Sequence, residues 1–362
     1  MDLERLGLEW GSMNSIEFLY YLGLSAKKYV ALKTRKKLPC RVISIGNITV
    51  GGTGKTPATI AVAEEAIKRG FSPIILTRGY KGTEPGPCFV TRGEGPLLTA
   101  EQAGDEPLLM AERLKGVPIV KGADRYEAGM FALKELGVQS SACKVAEDIK
   151  SVHLPIPNTQ HPTPVFILDD GFQHWKLHRD RDIVLIDAKN PFGNRKLLPV
   201  GRLREPLSEL RRADSIVITK AAREDSALIA EVRKYNSRAP IFFARHRAVA
   251  VRSRTGERRP LEWLTDRKVF CFCGLADPES FRDTAASAGA VITGMKVFRD
   301  HYRYQQYDIA TIVKECKTSG ASWIIATEKD MVKLRNLDLP ENILIIEMAF
   351  AAGQPFYESV FS

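Results

Sequence analysis

The stretch "VGGTGKTP", residues 50–57, sets three glycines, a lysine and two threonines shortly after the apolar run "RVISI". Glycines there let the backbone turn sharply and aim successive N–H groups into one concavity, which binds anions. The helix expected from "ATIAVAEEAIKRG" adds the partial positive charge of its N-terminus. Lys55 is placed to reach the outer phosphates of a nucleotide, and the Thr56 hydroxyl to hold Mg²⁺. Gly51, Gly52, Thr53 and Gly54 form the cradle. Thr49 stands where the strict G-x-x-x-x-G-K-[ST] pattern has its first glycine. The bland alternative is an ordinary glycine-rich loop, which leaves the Lys-Thr pair without a reason.

A second group of chemically capable residues lies in "VFILDDGFQHWKL", 165–177. An apolar strand ending in Asp169-Asp170 sets two carboxylates at the carboxyl edge of a sheet, where α/β sites lie. Adjacent carboxylates repel unless a cation sits beside them. In a phosphate-loop enzyme that cation is Mg²⁺, which gives one aspartate a metal-side role. The alternative is a turn whose aspartates cap a helix. "AGDEPLLMAERL", 103–114, opens a helix with Asp105, Glu106 and Pro107. Acidic residues and proline in a first turn are ordinary capping chemistry, so this stretch alone does not define a site. "FRDHYRY", 298–304, contributes His301, and spacing alone does not say whether it meets Asp105.

These residues need elements to hold them. "RVISIG", "PIILTR", "VPIVK", "PVFILDD", "DIVLIDA" and "SIVITK" are short, nearly continuous apolar runs rich in Val and Ile. Such runs suit strands buried on both faces of a largely parallel sheet. Helices fall between them, for example over 57–69, 105–115 and 124–136. The expected fold class is α/β: a P-loop NTPase with a doubly wound parallel sheet, joined by a β-ribbon linker to a second, smaller α/β domain. The phosphate-loop domain is expected over 38–240, interrupted by a proline-bearing surface insertion at 138–164. "PIFFARHRAVAVRS" opens an extended linker over 241–265. The smaller domain follows over 266–350, with "KVFCFCG", "VITGMKVF", "WIIATEKD" and "ILIIEM" as strands.

The chain of 362 residues is 44% hydrophobic, enough for two packed cores. Its 53 Lys and Arg against 43 Asp and Glu leave +10, which favours an anionic partner: phosphate ligand, nucleic acid or acidic membrane. No aromatic-interleaved basic stripe supports nucleic acid. The six cysteines show no CxxC pairing, so neither a zinc site nor a disulfide framework is indicated. No apolar run reaches the roughly 18 residues of a transmembrane helix. Residues 1–37 instead read as an amphipathic basic segment, with Ile16, Leu19, Tyr20 and Val30 near one helical face and six basic residues among 27–37. That suits an anionic bilayer surface. A helix docked on the protein's own core is the alternative.

The motifs "GNITVGGTGKTP", "LTRGYKG", "GDEPLLMA", "ILDDGFQH", "PVGRLREP", "GLADPESF", "DHYRY" and "TEKDMVKL" occur in that order. The chain thereby resembles the tetraacyldisaccharide 4′-kinases, the lipid A 4′-kinases, from about residue 40 to 348. Thr49 is similar to that family's version of the loop. The resemblance implies transfer of a phosphoryl group from ATP, with Mg²⁺, to the 4′-hydroxyl of an acylated glucosamine disaccharide 1-phosphate. It implies that Asp105 is the base and that His301 pairs with it, with Lys55 on the phosphates. Thr56, Asp169, Asp170 and Glu205 match metal-side positions. Tyr80 and Arg125 match the substrate side, and Glu106, Gln173, His174 and Arg204 line the site. The implied location is peripheral to a membrane: the cytoplasmic face of the inner membrane in a bacterium, a mitochondrion or other organelle in a eukaryote. No obligate protein partner is expected. A regulatory or metallochaperone-like NTPase working through a protein partner is the rival reading. Its one support, a likeness of "TEKD" at 327–330 to a guanine-reading motif, is weakened because Lys329 sits one place late.

Overall fold

Strand β1 (Arg41–Gly46) carries five buried residues out of six, and alternate side chains enter two different cores. Ile43 and Ile45 join Ala58, Val62, Ala63 and Ala66 of the helix that follows the phosphate loop. Val42 faces the other way, toward Phe166, Leu168, Ala128 and Ala132. A strand covered on both faces therefore reads as an unbroken apolar run. Each such fully buried aliphatic or aromatic side chain stabilises the fold by roughly 1.5–3 kcal/mol. The computed structural model describes residues 14–80, 82–138, 162–221, 224–275 and 277–362. Residues 1–13 of the expected membrane segment and 139–161 of the expected insertion lie outside the described residues.

In chain order the strands continue as β2 (Phe71–Thr77), β3 (Cys88–Thr91), β4 (Ile119–Lys121), β5 (Thr163–Asp169), β6 (Arg181–Asp187) and β7 (Ser215–Thr219). Then come β8 (Ile241–Ser253), β9 (Arg258–Arg259), β10 (Lys268–Cys273), β11 (Val291–Val297), β12 (Trp323–Thr327) and β13 (Ile343–Ala352). The helices are α1 (Ser15–Lys33), α2 (Lys55–Lys68), α3 (Ala100–Ala103), α4 (Asp105–Arg113), α5 (Arg125–Glu135), α6 (Ser226–Tyr235), α7 (Pro278–Ser287), α8 (Gln306–Thr318), α9 (Glu328–Met331) and α10 (Gln354–Phe361). Among the described residues they surround one sheet in the order β11-β10-β12-β13-β8-β7-β6-β1-β5-β2-β4-β3. The expected α/β architecture is present. β5 already begins at Thr163, inside the segment read as an insertion, and pairs there with Phe71.

The two halves share their sheet through β8. Its first residues pair parallel with β7, from Ile216↔Ile241 to Thr219↔Ala244. The rest runs antiparallel to β13, from Ala352↔Ala244 to Leu344↔Ser253. Beyond it, Phe270 and Phe272 of β10 pack on α8, while Cys271 and Cys273 turn to the opposite core with Phe281 and Ala285 of α7. Cys88, Cys271, Cys273 and Cys316 are free.

Helix α1 docks through polar contacts and leaves its apolar side outward. Asn14 and Glu17 form a capping box. Buried Glu17 also accepts from the Leu197 N–H at 3.0 Å, Tyr20 Oη donates to the Arg204 carbonyl at 3.1 Å, and Lys28 pairs with Glu209. Tyr20 thus lies on the docked side and not with Ile16 as expected. Ile16, Leu19, Leu22, Tyr29 and Val30 are exposed, Leu19 at 66%. At 100° per residue these five span one continuous arc of the helix. Among the described residues no helix is long and apolar enough to cross a membrane.

Candidate active site

The parallel register Ile45↔Asp169 brings the carboxyl ends of β1 and β5 side by side. The loop leaving β1 and the aspartates ending β5 must therefore share one rim. Gly46 is required at the exit, because a Cβ there would lie 2.6 Å from Cβ of Phe172. Gly54 has φ 88° and caps α2 with no side-chain bond, and the first turn of α2 holds no acidic residue. Its N-terminal N–H groups are left for an anion. Thr49 is buried and bridges Leu203, which fixes the loop's base without a glycine. Thr53 Oγ1 is buried with no hydrogen-bond partner among the described residues.

Lys55 Nζ lies 3.3 Å from Asn47 Oδ1 and 3.6 Å from Asp170 Oδ1. Arg204 Nη1 donates to both Asp170 oxygens at 2.8 Å. Burial alone would raise the Asp170 carboxyl, but Lys55 and Arg204 overcome it and hold it below the usual carboxylate range. Asp170 adopts φ 52°, a left-handed conformation uncommon outside glycine and tolerated best by Asn and Asp. Asp169 is buried and accepts from Thr59 at 3.4 Å and Thr77 at 3.3 Å. Burial, reinforced by the Asp170 charge, pushes its carboxyl up to about 6. The two carboxylates thus sit in opposed environments, and a cation between them would relieve the repulsion.

Glu205 is fully buried and faces Arg212 at 2.5 Å and Gln173 Nε2 at 2.6 Å. Gln173 Nε2 also donates to the Asn47 carbonyl at 2.9 Å. Among the described residues no three His, Cys, Asp or Glu side chains converge as a metal cluster. Of the residues expected on the metal side, Glu205 is engaged by Arg212 and Gln173, while Asp169 ends β5, Asp170 follows it and Thr56 lies in the first turn of α2. That set fits Mg²⁺, which is commonly held by one or two carboxylates together with substrate phosphates.

Arg125, at the start of α5, is buried and donates to the Gly122 carbonyl at 2.8 Å. Its Nε has no partner among the described residues. Burial, partly offset by Asp169 and Asp170, brings it down to about 10, so it stays charged at neutral pH. His174 Nε2 accepts from the Arg125 N–H at 3.4 Å. Burial and the Arg125 charge hold that ring down to about 4, hence neutral. Tyr80 is exposed on the rim, where a Cβ on Gly104 would lie 2.6 Å from the Tyr80 carbonyl. This close approach seats the N-terminus of α4 against the "RGY" turn.

His301 Nδ1 lies 2.9 Å from Asp105 Oδ2 across 196 positions of sequence. His301 holds φ 59°, and its own N–H donates to Asp300 Oδ1 at 3.0 Å. Gly104, just before Asp105, packs on the Tyr80 carbonyl after β2, and Thr77 at the end of β2 donates to Asp169, so this pair lies at the same carboxyl edge of the sheet. Sequence reasoning missed Asn47 beside Lys55, Thr59 and Thr77 beneath Asp169, and Arg212 on Glu205. It also missed Lys220, whose ammonium reaches the Gly52 carbonyl at 2.8 Å and Asp187 at 2.6 Å. Asn47 could have been found, since it opens the motif "NITVGGTGKT". The others carry no local signal.

A rim able to cradle phosphate, offset its charge and accept a proton is the equipment of a phosphate-loop phosphotransferase. The family model LpxK, tetraacyldisaccharide-1-P 4'-kinase, matches residues 12–360, and the chain belongs to that family. The tetraacyldisaccharide 4'-kinase of Syntrophus aciditrophicus is 38% identical over 335 residues, covering 88% of this chain and 83% of that protein. Its counterpart from Geobacter metallireducens is 36% identical over 335 residues, covering 92% and 90%. The crystal structure of the "apo" form of LpxK from Aquifex aeolicus in complex with ATP is similar at TM-score 0.73 and 31% identity, covering 96% of this chain and 98% of that one. The enzyme class is therefore a kinase of lipid A biosynthesis, and the rival regulatory NTPase is not favoured.

Proposed function

We propose that the chain transfers the terminal phosphoryl group of ATP to the 4′-hydroxyl of an acylated disaccharide 1-phosphate, with Asp105 as the base. The observation that carries this reading is the Asp105–His301 contact on the same rim as the phosphate loop. Gly51, Gly52 and Gly54 present backbone N–H groups to the phosphates, the Thr53 N–H donating to the Gly51 carbonyl at 3.1 Å, and Lys55 supplies a point charge. Thr56, Asp169 and Asp170 would hold Mg²⁺, which would supply charge neutralisation on the transferring group. Arg125, Tyr80 and His174 face the acceptor sugar. The 4′-oxygen forms the new P–O bond as the bond to the nucleotide's β-phosphate oxygen breaks, and Asp105 accepts the hydroxyl proton. His301 orients the Asp105 carboxylate for that step. Arg204 and Gln173 hold Asp170 and the loop in place, and Glu205 anchors Gln173 and Arg212.

The reading extends to the setting. The exposed apolar arc of α1 beside a basic flank favours attachment to an anionic membrane surface, where a multiply acylated substrate resides. The test uses purified protein, labelled ATP and a synthetic disaccharide 1-phosphate, with product mass measured. Asp105→Ala and His301→Ala should each lower turnover by roughly 10²–10⁴-fold, with ATP affinity nearly unchanged. The double variant should cost little more than the worse single change, because groups acting as a unit are non-additive. Multiplicative losses would break the partnership.

A further inference from the structure

We propose that Lys329 is a positioning residue that latches the second unit onto helix α4 and so sets the Asp105–His301 contact. This rests on Asp105 acting as the base. Asp105 and Glu106 are consecutive on α4, and Asp300 and His301 are consecutive on the connection after β11. His301 spans one link between these pairs, to Asp105 at 2.9 Å. Lys329, at the start of α9, spans the other, with Nζ 3.3 Å from Glu106 Oε1 and 3.1 Å from Asp300 Oδ1. Asp300 Oδ1 in turn accepts the backbone N–H of His301. That bond helps hold His301 at φ 59°. One ammonium thus fixes both the spacing of the two units and the backbone that aims the imidazole.

The same face of α4 repeats the pattern two turns on, where side chains seven residues apart point nearly the same way. Glu112 pairs with Arg335 at 3.3 Å and Arg113 with Glu328 at 2.5 Å. Every charged group in this stripe meets an opposite charge or an imidazole from the second unit. Lys329 is the one whose loss reverses the local sign. Without it, Asp105, Glu106 and Asp300 would be three carboxylates around one histidine, and repulsion would push the units apart. With it, burial would lower the ammonium's pKa, but Glu106 and Asp300 more than offset this and keep it charged. Lys329 belongs to the "TEKD" motif, and this contact explains the motif without any nucleotide base.

The experiment compares Lys329→Met, Lys329→Arg and His301→Ala, and combines the first and last. Lys329→Met should lower kcat by roughly 10–100-fold, the scale of a misplacement of about 1 Å, with ATP Kd within about two-fold. Lys329→Arg should recover most of the rate, since it restores the charge. In the His301→Ala background, Lys329→Met should change kcat less than about three-fold, because Lys329 acts through the histidine it places. Thermal unfolding of each variant separates misfolding from misplacement, and Lys329→Gln replaces Met if the latter fails to fold. An impaired His301→Ala beside a wild-type Lys329→Met rate overturns the latch alone, as do fully multiplicative losses. A silent His301→Ala overturns the dyad itself.

Discussion

Acidification offers a test that needs no substrate, through His246 of β8. A Cβ on Gly54 would meet His246 Cε1 at 2.1 Å, so the imidazole lies directly against the phosphate loop. Its Nε2 is buried without a partner among the described residues, and burial, aided by the nearby Lys220 charge, pushes the ring down from 6.5 to about 4. The unfolded chain therefore binds this proton first, so stability falls as pH drops below 6.5 and levels off below 4. At about 1.36 kcal/mol per pH unit the whole difference is about 3 kcal/mol, with roughly 2 kcal/mol already lost near pH 4.5. For a chain of this size that corresponds to roughly 2–5 °C in Tm. His174 and several carboxylates also respond to acid, so the assay is a difference. Tm is followed by calorimetry from about pH 7 to 4.5 for the native chain and for His246→Asn. The variant should start at a different Tm but fall less steeply, by the amount above. Parallel curves would show that His246 is not held neutral, and the packing argument against Gly54 would fail with it.

Lys55→Ala should lower turnover by at least about 10²-fold with Tm nearly unchanged, because Arg204 still neutralises Asp170; a folded, near-normal enzyme would remove the phosphate-loop assignment. Asp169→Asn and Asp170→Asn should each cost about two orders of magnitude and shift the Mg²⁺ titration, since an amide is a poor substitute for a metal-side carboxylate. If both variants keep the native Mg²⁺ response, the pair is a turn and not a metal site. The double change Ile16→Glu and Leu19→Glu should reduce partitioning onto anionic vesicles by roughly 10-fold or more, while leaving Tm alone because both side chains already face solvent. Unchanged partitioning would leave α1 as a docked helix only.

Much of this protein is determined within short windows of sequence. A phosphate loop is a local object: a strand, glycines able to take φ such as the 88° of Gly54, then Lys-Thr opening a helix. All its parts lie within about fifteen residues, so their types and order suffice. The buried strands are equally local, because burial on both faces demands a continuous apolar run, and "RVISIG" coincides with β1 residue for residue. Asp169 and Asp170 were legible for the same reason, being where such a run stops.

What the tertiary structure alone decided is who faces whom once separate elements dock. Taken from local sequence, Asp105 read as a helix cap and His301 as a lone histidine; only the resemblance implied their pairing, and it is the docking of the second unit on α4 that sets them 2.9 Å apart. Glu205 pairs with Arg212, and Tyr20 turned inward to the Arg204 carbonyl, with no periodicity to announce either. Lys329, His246 and Lys220 approach the site from segments far along the chain, each through a side chain whose neighbours belong to another element. Periodicity reports which face of an element is buried, because the repeat of a helix or strand is written along it. It says nothing of which partner covers that face, since that depends on sheet order and the rigid-body placement of two units, to which every packed residue contributes a little and no short motif contributes enough.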